Sequence, residues 1–273
     1  MSLPILPSHP TASTTDLIRF YYRTDLHWCQ QIAEQTQLDV GTALLNASLP
    51  NVWDANLVFD AALPDEVAQA DAVAEAEAHF RAAGSPIRKW VPNPSVPPQR
   101  TTPLVDHLLT NGHARRTYDI MHLSGQPAGA IEEVGGLRII PARASFRHAR
   151  ELAAEAAAPV TPQLVDAFIM HLEDPQTDGL LALTDGAPAA YVTVLTVGEI
   201  GCITELFVSK NLRRQGIGRT MMSRAMEICA RSLFKHVFLS CEPTNMPAIA
   251  LYKRLGFEKI GDFVCYVQRA TIR

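Results

Sequence analysis

Residues 204–220 read TELFVSKNLRRQGIGRT. Leu206, Phe207 and Val208 close an apolar stretch that reads as a strand, and a short polar loop follows. Gly216 and Gly218 then open directly into a helical pattern, with Met221, Ala225, Ile228 and Cys229 at helical spacing. Glycines let backbone approach an anion closely, and the first turn of a helix offers N–H groups without partners and a partial positive charge. Arg213-x-x-Gly216-x-Gly218 therefore has the makings of a pyrophosphate cradle. No Lys-Ser/Thr pair follows, which argues against the phosphate loop of nucleoside triphosphatases, and the spacing Gly-x-Gly-x-x-Gly of dinucleotide sites is not met. From Glu205 to Lys235 seven basic residues stand against two acidic ones, a field that attracts a polyanion. The plainer reading is a tight strand-to-helix turn with solvated arginines.

Around this stretch the second half of the chain alternates strands and helices. An apolar run at 137–141 precedes helical patterns at 145–157 and 162–172. Strand candidates at 180–184, 189–197 and 200–208 are separated by turn signals at Asp185-Gly186 and 198–201, which predicts an antiparallel meander. A helix at 216–232, a strand at 236–241 and a helix at 247–255 follow, the last with Pro247 at its start and Gly256 at its end. Two short strands, 257–260 and 263–268, finish the chain. The class is α+β, an α/β mixed sheet flanked by helices.

The first half is less regular. A mixed helical segment covers 17–37, a strand 52–59, a helix 65–83 and a strand 87–91; a Pro-rich loop, VPNPSVPPQRTTP, then leads to a helix at 104–109 and a strand at 117–123. No catalytic cluster is visible here. SGQPAGAIEEVGG at 124–136 reads as a linker, which divides the chain into 1–136 and 137–273. The first part has eight basic and fifteen acidic side chains, net −7; the second has sixteen and thirteen, net +3. The two parts thus differ in the electrostatic surroundings they offer a ligand.

With 273 residues the chain is long enough for one large or two modest domains, at roughly 100–200 residues each. Five widely spaced cysteines with no C-x-x-C pair, Cys29, Cys202, Cys229, Cys241 and Cys265, argue against a disulfide framework or structural zinc and fit a reducing compartment. The nine histidines show no metal-ligand spacing, and no metal is expected. The first 15 residues have neither a basic nor an apolar signal-peptide region, and no run is long enough to span a membrane, so a cytoplasmic protein is expected. A net charge of −4 argues against nucleic acid as a partner.

The loop resembles the acyl-CoA motif of the GNAT superfamily of N-acetyltransferases, Arg/Gln-x-x-Gly-x-Gly/Ala after an aliphatic strand. A second stretch at 245–257, NMPAIALYKRLGF, is similar to the Asn-x-x-Ala-x-x-x-Tyr-x-x-x-Gly-Phe helix of the same family. The resemblance covers about 137–270. In the first half NVWDANLVFD at 51–60 resembles a strand opening of tandem GNAT proteins. Leu108 to His113 resembles a worn copy of Leu251 to Phe257, with no glycine loop between 60 and 90. The implied fold is a tandem GNAT-like one with a mixed, mostly antiparallel sheet, 1–136 being a degenerate repeat or a cap and 137–273 the catalytic domain.

The resemblance implies acetyl-CoA as acyl donor and an amine-bearing acceptor. It implies that Leu206, Phe207 and Val208 hold the pantetheine arm, with the Val208 N–H facing the thioester oxygen. Arg213, Arg214, Gln215, Gly216, Ile217, Gly218 and Arg219 would hold the pyrophosphate and Asn245 the cofactor arm. Tyr252 would protonate the departing thiolate and Glu205 serve as general base. A strand N–H can stabilise the developing oxyanion, and a phenol of pKa about 10 can protonate a thiolate whose conjugate acid lies near about 8.5. Each role has a structural counterpart: Tyr252 as a core tyrosine, Glu205 as an ion-pair partner, Asn245 as a loop former. Direct acetyl transfer to a primary amine is the leading reading; a non-catalytic acyl-CoA sensor is the alternative. Monomer and homodimer are both open.

Overall fold

The computed structural model describes residues 12–64, 68–123, 134–157 and 162–268. Helix α1 (Thr14–Gln30) starts at a capping box: the Ser13 hydroxyl accepts the Asp16 N–H while the Asp16 carboxylate accepts the Ser13 N–H. Strand β1 (Glu34–Leu38) follows where the sequence suggests the end of a helix, and β2 (Gly41–Leu45) lies beyond it. β1, EQTQL, is an exposed edge with no apolar face to reveal it. A 3-10 turn at Trp53–Ala55 delays β3 (Asn56–Ala61) relative to the apolar run. Next come α2 (Gln69–Ala82) and β4 (Lys89–Pro92). Helix α3 (Pro98–Thr110) begins inside the segment expected to be a loop. Pro98 fits its first turn, where no N–H is required, and Leu104 and Leu108 bury its inner face. β5 (His113–Leu123) ends the first half. The expected linker, 124–136, lies outside the described residues except for its last three.

The second half follows its sequence signals closely: β6 (Leu137–Pro141), α4 (Phe146–Ala156), α5 (Pro162–Glu173), and the meander β7 (Thr177–Thr184), β8 (Ala187–Val197) and β9 (Ile200–Val208). Then come α6 (Ile217–Arg231), β10 (His236–Cys241), α7 (Met246–Arg254) and β11 (Phe257–Gln268). β11 is one strand where two were expected, because a bulge at Ile260 carries it on: Lys259 pairs with Met121 and Gly261 with Ile120.

The eleven strands of the described residues form one sheet in the order β1-β2-β3-β4-β11-β5-β10-β9-β8-β7-β6. Only β3–β4 and β9–β10 are parallel. The order mirrors itself about its centre, with β4, β3, β2 and β1 answering β10, β9, β8 and β7. The two central strands are exchanged: β5, from the first half, pairs with β10, and β11, from the second, pairs with β4. Each follows a helix that ends in a left-handed glycine, Gly112 at φ 85° and Gly256 at φ 95°. The worn sequence copy at 108–113 thus occupies the position equivalent to 251–257.

Helices cover both faces. α2, α3, α6 and α7 lie on one, over Trp90 of β4 and Tyr266 of β11 on one side of the centre and, with Met221 of α6 packed inward, over Leu239 and Phe257 on the other. On the other, α4 and α5 cover Leu181 and Tyr191, while α1 lies across the centre, over Phe59, Phe238 and Phe263. Burying such side chains contributes about 1.5–3 kcal/mol each, so α1 fastens residues of both halves into one core. The five cysteines are free and buried. No described helix is long and apolar enough to cross a membrane.

Candidate active site

Strands β9 and β10 pair in parallel from Ile200↔His236 to Ile203↔Leu239 and then part. β9 continues to Val208 bonded only to β8, so its other edge is open from Thr204 onward. A bulge at Thr204, between the pairs Val194↔Ile203 and Thr193↔Glu205, bends the strand at the point of separation and turns Thr204 and Glu205 toward the same side. The Ser209 N–H bonds to Ala189 on β8. Strand alternation therefore directs the N–H groups of Val208 and Leu206 into the gap.

At the far end of that gap lies the glycine loop. Gly216 is the N-cap of α6, with φ 85° and no side chain to cap the helix. The first intrahelical bond is that from Thr220 N–H to the Gly216 carbonyl, which leaves the N–H groups of Ile217, Gly218 and Arg219 without intrahelical partners. Arg214 also takes a left-handed conformation, φ 67°. Arg213 turns back, donating from Nε to the Val208 carbonyl at 3.1 Å with its guanidinium over the Phe207 ring. The Glu155 carboxylate on α4 accepts the Lys210 N–H at 2.6 Å and anchors the loop entrance. Arg213, Arg214, Gln215 and Arg219 are exposed. Together they form a donor-rich, cationic rim with an unpaired strand edge leading from it, which suits an elongated anion.

Across the gap, Asn245 caps α7, its Oδ1 accepting the Ala248 N–H at 3.4 Å. Its carbonyl is thus occupied locally. Tyr252, about two turns further along, is 8% exposed and packs edge-on to Phe257. Burial, with smaller contributions from the Cys241 and Glu205 charges, holds its phenol well above the ordinary value.

The Glu205 side chain points into a cavity of about 250 Å³ at the apex of the gap. Burial, aided by the negative charge of Asp54, raises its carboxyl to about 7. No described side chain donates a hydrogen bond to it. Thr204 and Ser240, from the two parted strands, also line this cavity. The opposite wall comes from the first half of the chain, where Lys89, its side chain 6% exposed, lies 2.5 Å from Asp54 and 3.9 Å from Asp25. Burial pushes Asp54 up, but the Lys89 charge and hydrogen bond outweigh it and hold the carboxyl low. In Asp25 burial prevails over Lys89, and the carboxyl rises to about 6. One signal could have revealed this wall. Tyr21, Thr24, Asp25 and Trp28 fall at i, i+3, i+4 and i+7, a polar pair within an aromatic face of α1, and all four line the cavity.

The equivalent position in the first half is closed. β3 and β4 remain joined through Ala61↔Pro92, and the Asn93 N–H bonds to the Ala61 carbonyl. With no gap between these strands, no extended ligand can add to either edge there.

A sequence profile described as the Acetyltransferase (GNAT) family matches residues 145–257. A Bacillus subtilis protein named as a ribosomal protein bS18-alanine N-acetyltransferase is 30% identical over 108 residues, 39% of this chain and 72% of the relative. Among solved structures, a GCN5-related N-acetyltransferase from Kribbella flavida superposes with a TM-score of 0.61 at 17% identity, over 92% of this chain and 95% of its own. A tandem GNAT protein from the clavulanic acid biosynthesis pathway gives 0.53 at 15%, over 93% and 96%. These last two share the whole two-repeat fold. The parted strands, the glycine loop and the matched sequence agree: this chain is an acyltransferase of the GNAT N-acetyltransferase family, built as a tandem repeat of its fold.

Proposed function

We propose that the protein transfers an acetyl group from acetyl-CoA directly to a primary amine, with 137–273 as the catalytic repeat and 1–136 as a degenerate repeat that walls the acceptor site. The observation that carries this reading is the open edge of β9, which runs without interruption from the N-terminus of α6 to Glu205. The N–H groups at Ile217 to Arg219 and the side chains of Arg213, Arg214, Gln215 and Arg219 would hold the pyrophosphate, with Gly216 and Gly218 admitting it closely. Leu206, Phe207 and Val208 would bind the pantetheine arm as an added strand, and Asn245 would face it from α7.

Acetyl-CoA supplies the activated acyl group; the chain supplies proton transfer and orientation. The ammonium of the acceptor gives one proton to Glu205, whose pKa near 7 makes it an effective base at neutral pH. The nitrogen bonds the acyl carbon while the Val208 N–H stabilises the charge that develops on oxygen. The carbon–sulfur bond breaks, Tyr252 protonates the thiolate, and the second proton of the nitrogen restores the phenol. Glu205 then returns its proton to solvent. Release of free thiol from acetyl-CoA, measured against a panel of primary amines, tests the reading. Turnover lost in both Glu205→Gln and Tyr252→Phe supports it, and undiminished turnover in both refutes the assigned roles.

A further inference from the structure

From the cavity beside Glu205 we infer that the acceptor is a small aliphatic diamine, its reacting amine at Glu205 and its second ammonium held by Asp25. The inference rests on the acetyl-transfer reading and adds the substrate class. Three carboxylates, Asp25, Asp54 and Glu205, line the cavity together with a single cation, Lys89. Lys89 is committed: Asp54 takes its hydrogen bond at 2.5 Å, while the nearer Asp25 oxygen lies 3.9 Å away, beyond hydrogen-bond reach. That oxygen, Asp25 Oδ2, is buried and has no hydrogen-bond partner. A buried acceptor left without a donor is costly, and a ligand ammonium would satisfy it. Glu205 likewise awaits a donor, so the cavity has two separate places for positive nitrogen.

Size and walls narrow the class further. At about 250 Å³ the cavity falls below the roughly 300 Å³ at which pockets for drug-sized ligands begin, which excludes large polycationic acceptors from complete enclosure. Tyr21, Trp28, Tyr118 and Phe263 supply aromatic surface between the polar groups, suited to methylenes and to the faces of an ammonium. An amino acid fits poorly: its carboxylate would meet Asp25 while the only cation is already paired.

The test compares 1,4-diaminobutane, butylamine and 4-aminobutanoate as acceptors for the full chain with acetyl-CoA. The expected order of kcat/KM is diamine, monoamine, amino acid, the first step being roughly tenfold to a hundredfold because a buried charge pair is gained. Asp25→Asn should bring the diamine down to the level of butylamine and leave butylamine within a few-fold of its original rate. Calorimetric binding of 1,4-diaminobutane without acetyl-CoA, weakened in both Glu205→Gln and Asp25→Asn, while butylamine binding is weakened in Glu205→Gln alone, reads the same site with no turnover. Equal rates for the diamine and butylamine in the unaltered protein overturn the inference while leaving acetyl transfer standing. Diamine binding with no acetylation of any amine supports the site and refutes the catalytic reading instead.

Discussion

Ile203 and Leu239 form the last paired position between β9 and β10. Beyond it one strand carries Glu205 and the other Ser240, and both line the cavity at the end of the gap between the strands. Because pairing stops there, the open edge of β9 and the cavity are continuous, as the proposed acetyl transfer requires.

Glu205→Gln should remove the proposed base from that cavity. In the unaltered protein kcat/KM is expected to rise with pH through an apparent pKa of about 7, since the ionised form is the active one. The variant should lack this rise and lose about 10²- to 10⁴-fold in rate. Stability should change in the opposite sense. The folded state holds this proton more tightly than the unfolded chain, so the stability it contributes is present at low pH and fades as pH rises from about 4.5 to about 7. Denaturant titrations should find the variant more stable by about 1–3 kcal/mol at pH 8 and equal to the parent at pH 4.

Tyr252→Phe keeps the buried ring against Phe257 and deletes only the hydroxyl. Its kcat should fall about 10²-fold or more with the melting temperature little changed and the KM for acetyl-CoA within a few-fold. Tyr252→Ala should in addition cost about 3–5 kcal/mol of stability, read by urea unfolding.

Gly216→Val places a β-branched residue at φ 85° with its Cβ 3.1 Å from Val134. Left-handed backbone of this kind costs an L-residue about 1–2 kcal/mol, and the loop should shift to relieve it. Acetyl-CoA, as the proposed donor, should stabilise the parent, since a ligand that binds the native state alone raises its stability. Differential scanning fluorimetry should show that stabilisation abolished in the variant.

Lys89→Met leaves Asp25, with its side chain 17% exposed, and Asp54, 40% exposed, without their common cation. Removing one member of a fully buried ion pair costs about 3–5 kcal/mol, and solvent at Asp54 brings the expected loss toward about 1–3 kcal/mol. The loss should be full at pH 8 and smaller at pH 5, where Asp25, with its carboxyl at about 6, is already protonated in the folded protein. Thermal melts across that range measure it.

The exchange of β5 and β11 predicts that neither half folds alone. Without β5, β10 and β11 of the second half lose the strand between them, exposing unpaired edges that aggregate. Separately produced 1–136 and 137–273 should show little native circular dichroism, and mixing them from denaturant should restore one 1:1 species by size-exclusion chromatography.

The second half was legible because its elements carry their own local signals. Apolar periodicity set the meander, Gly216 and Gly218 marked the strand-to-helix turn, and Pro247 and Gly256 bracketed α7. The first half hid more. β1 is a polar edge strand without alternation, and α3 begins among prolines that read as a loop until Leu104 and Leu108 are seen to be buried. Asp25, Asp54 and Lys89 could not be linked, because they come from a helix, a 3-10 turn and a strand separated by 29 and 35 positions.

By itself the sequence determined the class of fold, the repeat of helix, glycine and strand at 108–113 and 251–257, and the glycine loop with Tyr252 and Glu205 nearby. These follow from backbone preference and periodicity, which act over a few residues. Only the tertiary structure decided that the two repeats exchange their central strands, that the gap is open between β9 and β10 but closed between β3 and β4, and that α1 brings Asp25 to Glu205. Those outcomes depend on which strand edges and helix faces meet in space, and on the desolvation and pairing of charges that meeting imposes, neither of which is written in any single stretch of chain.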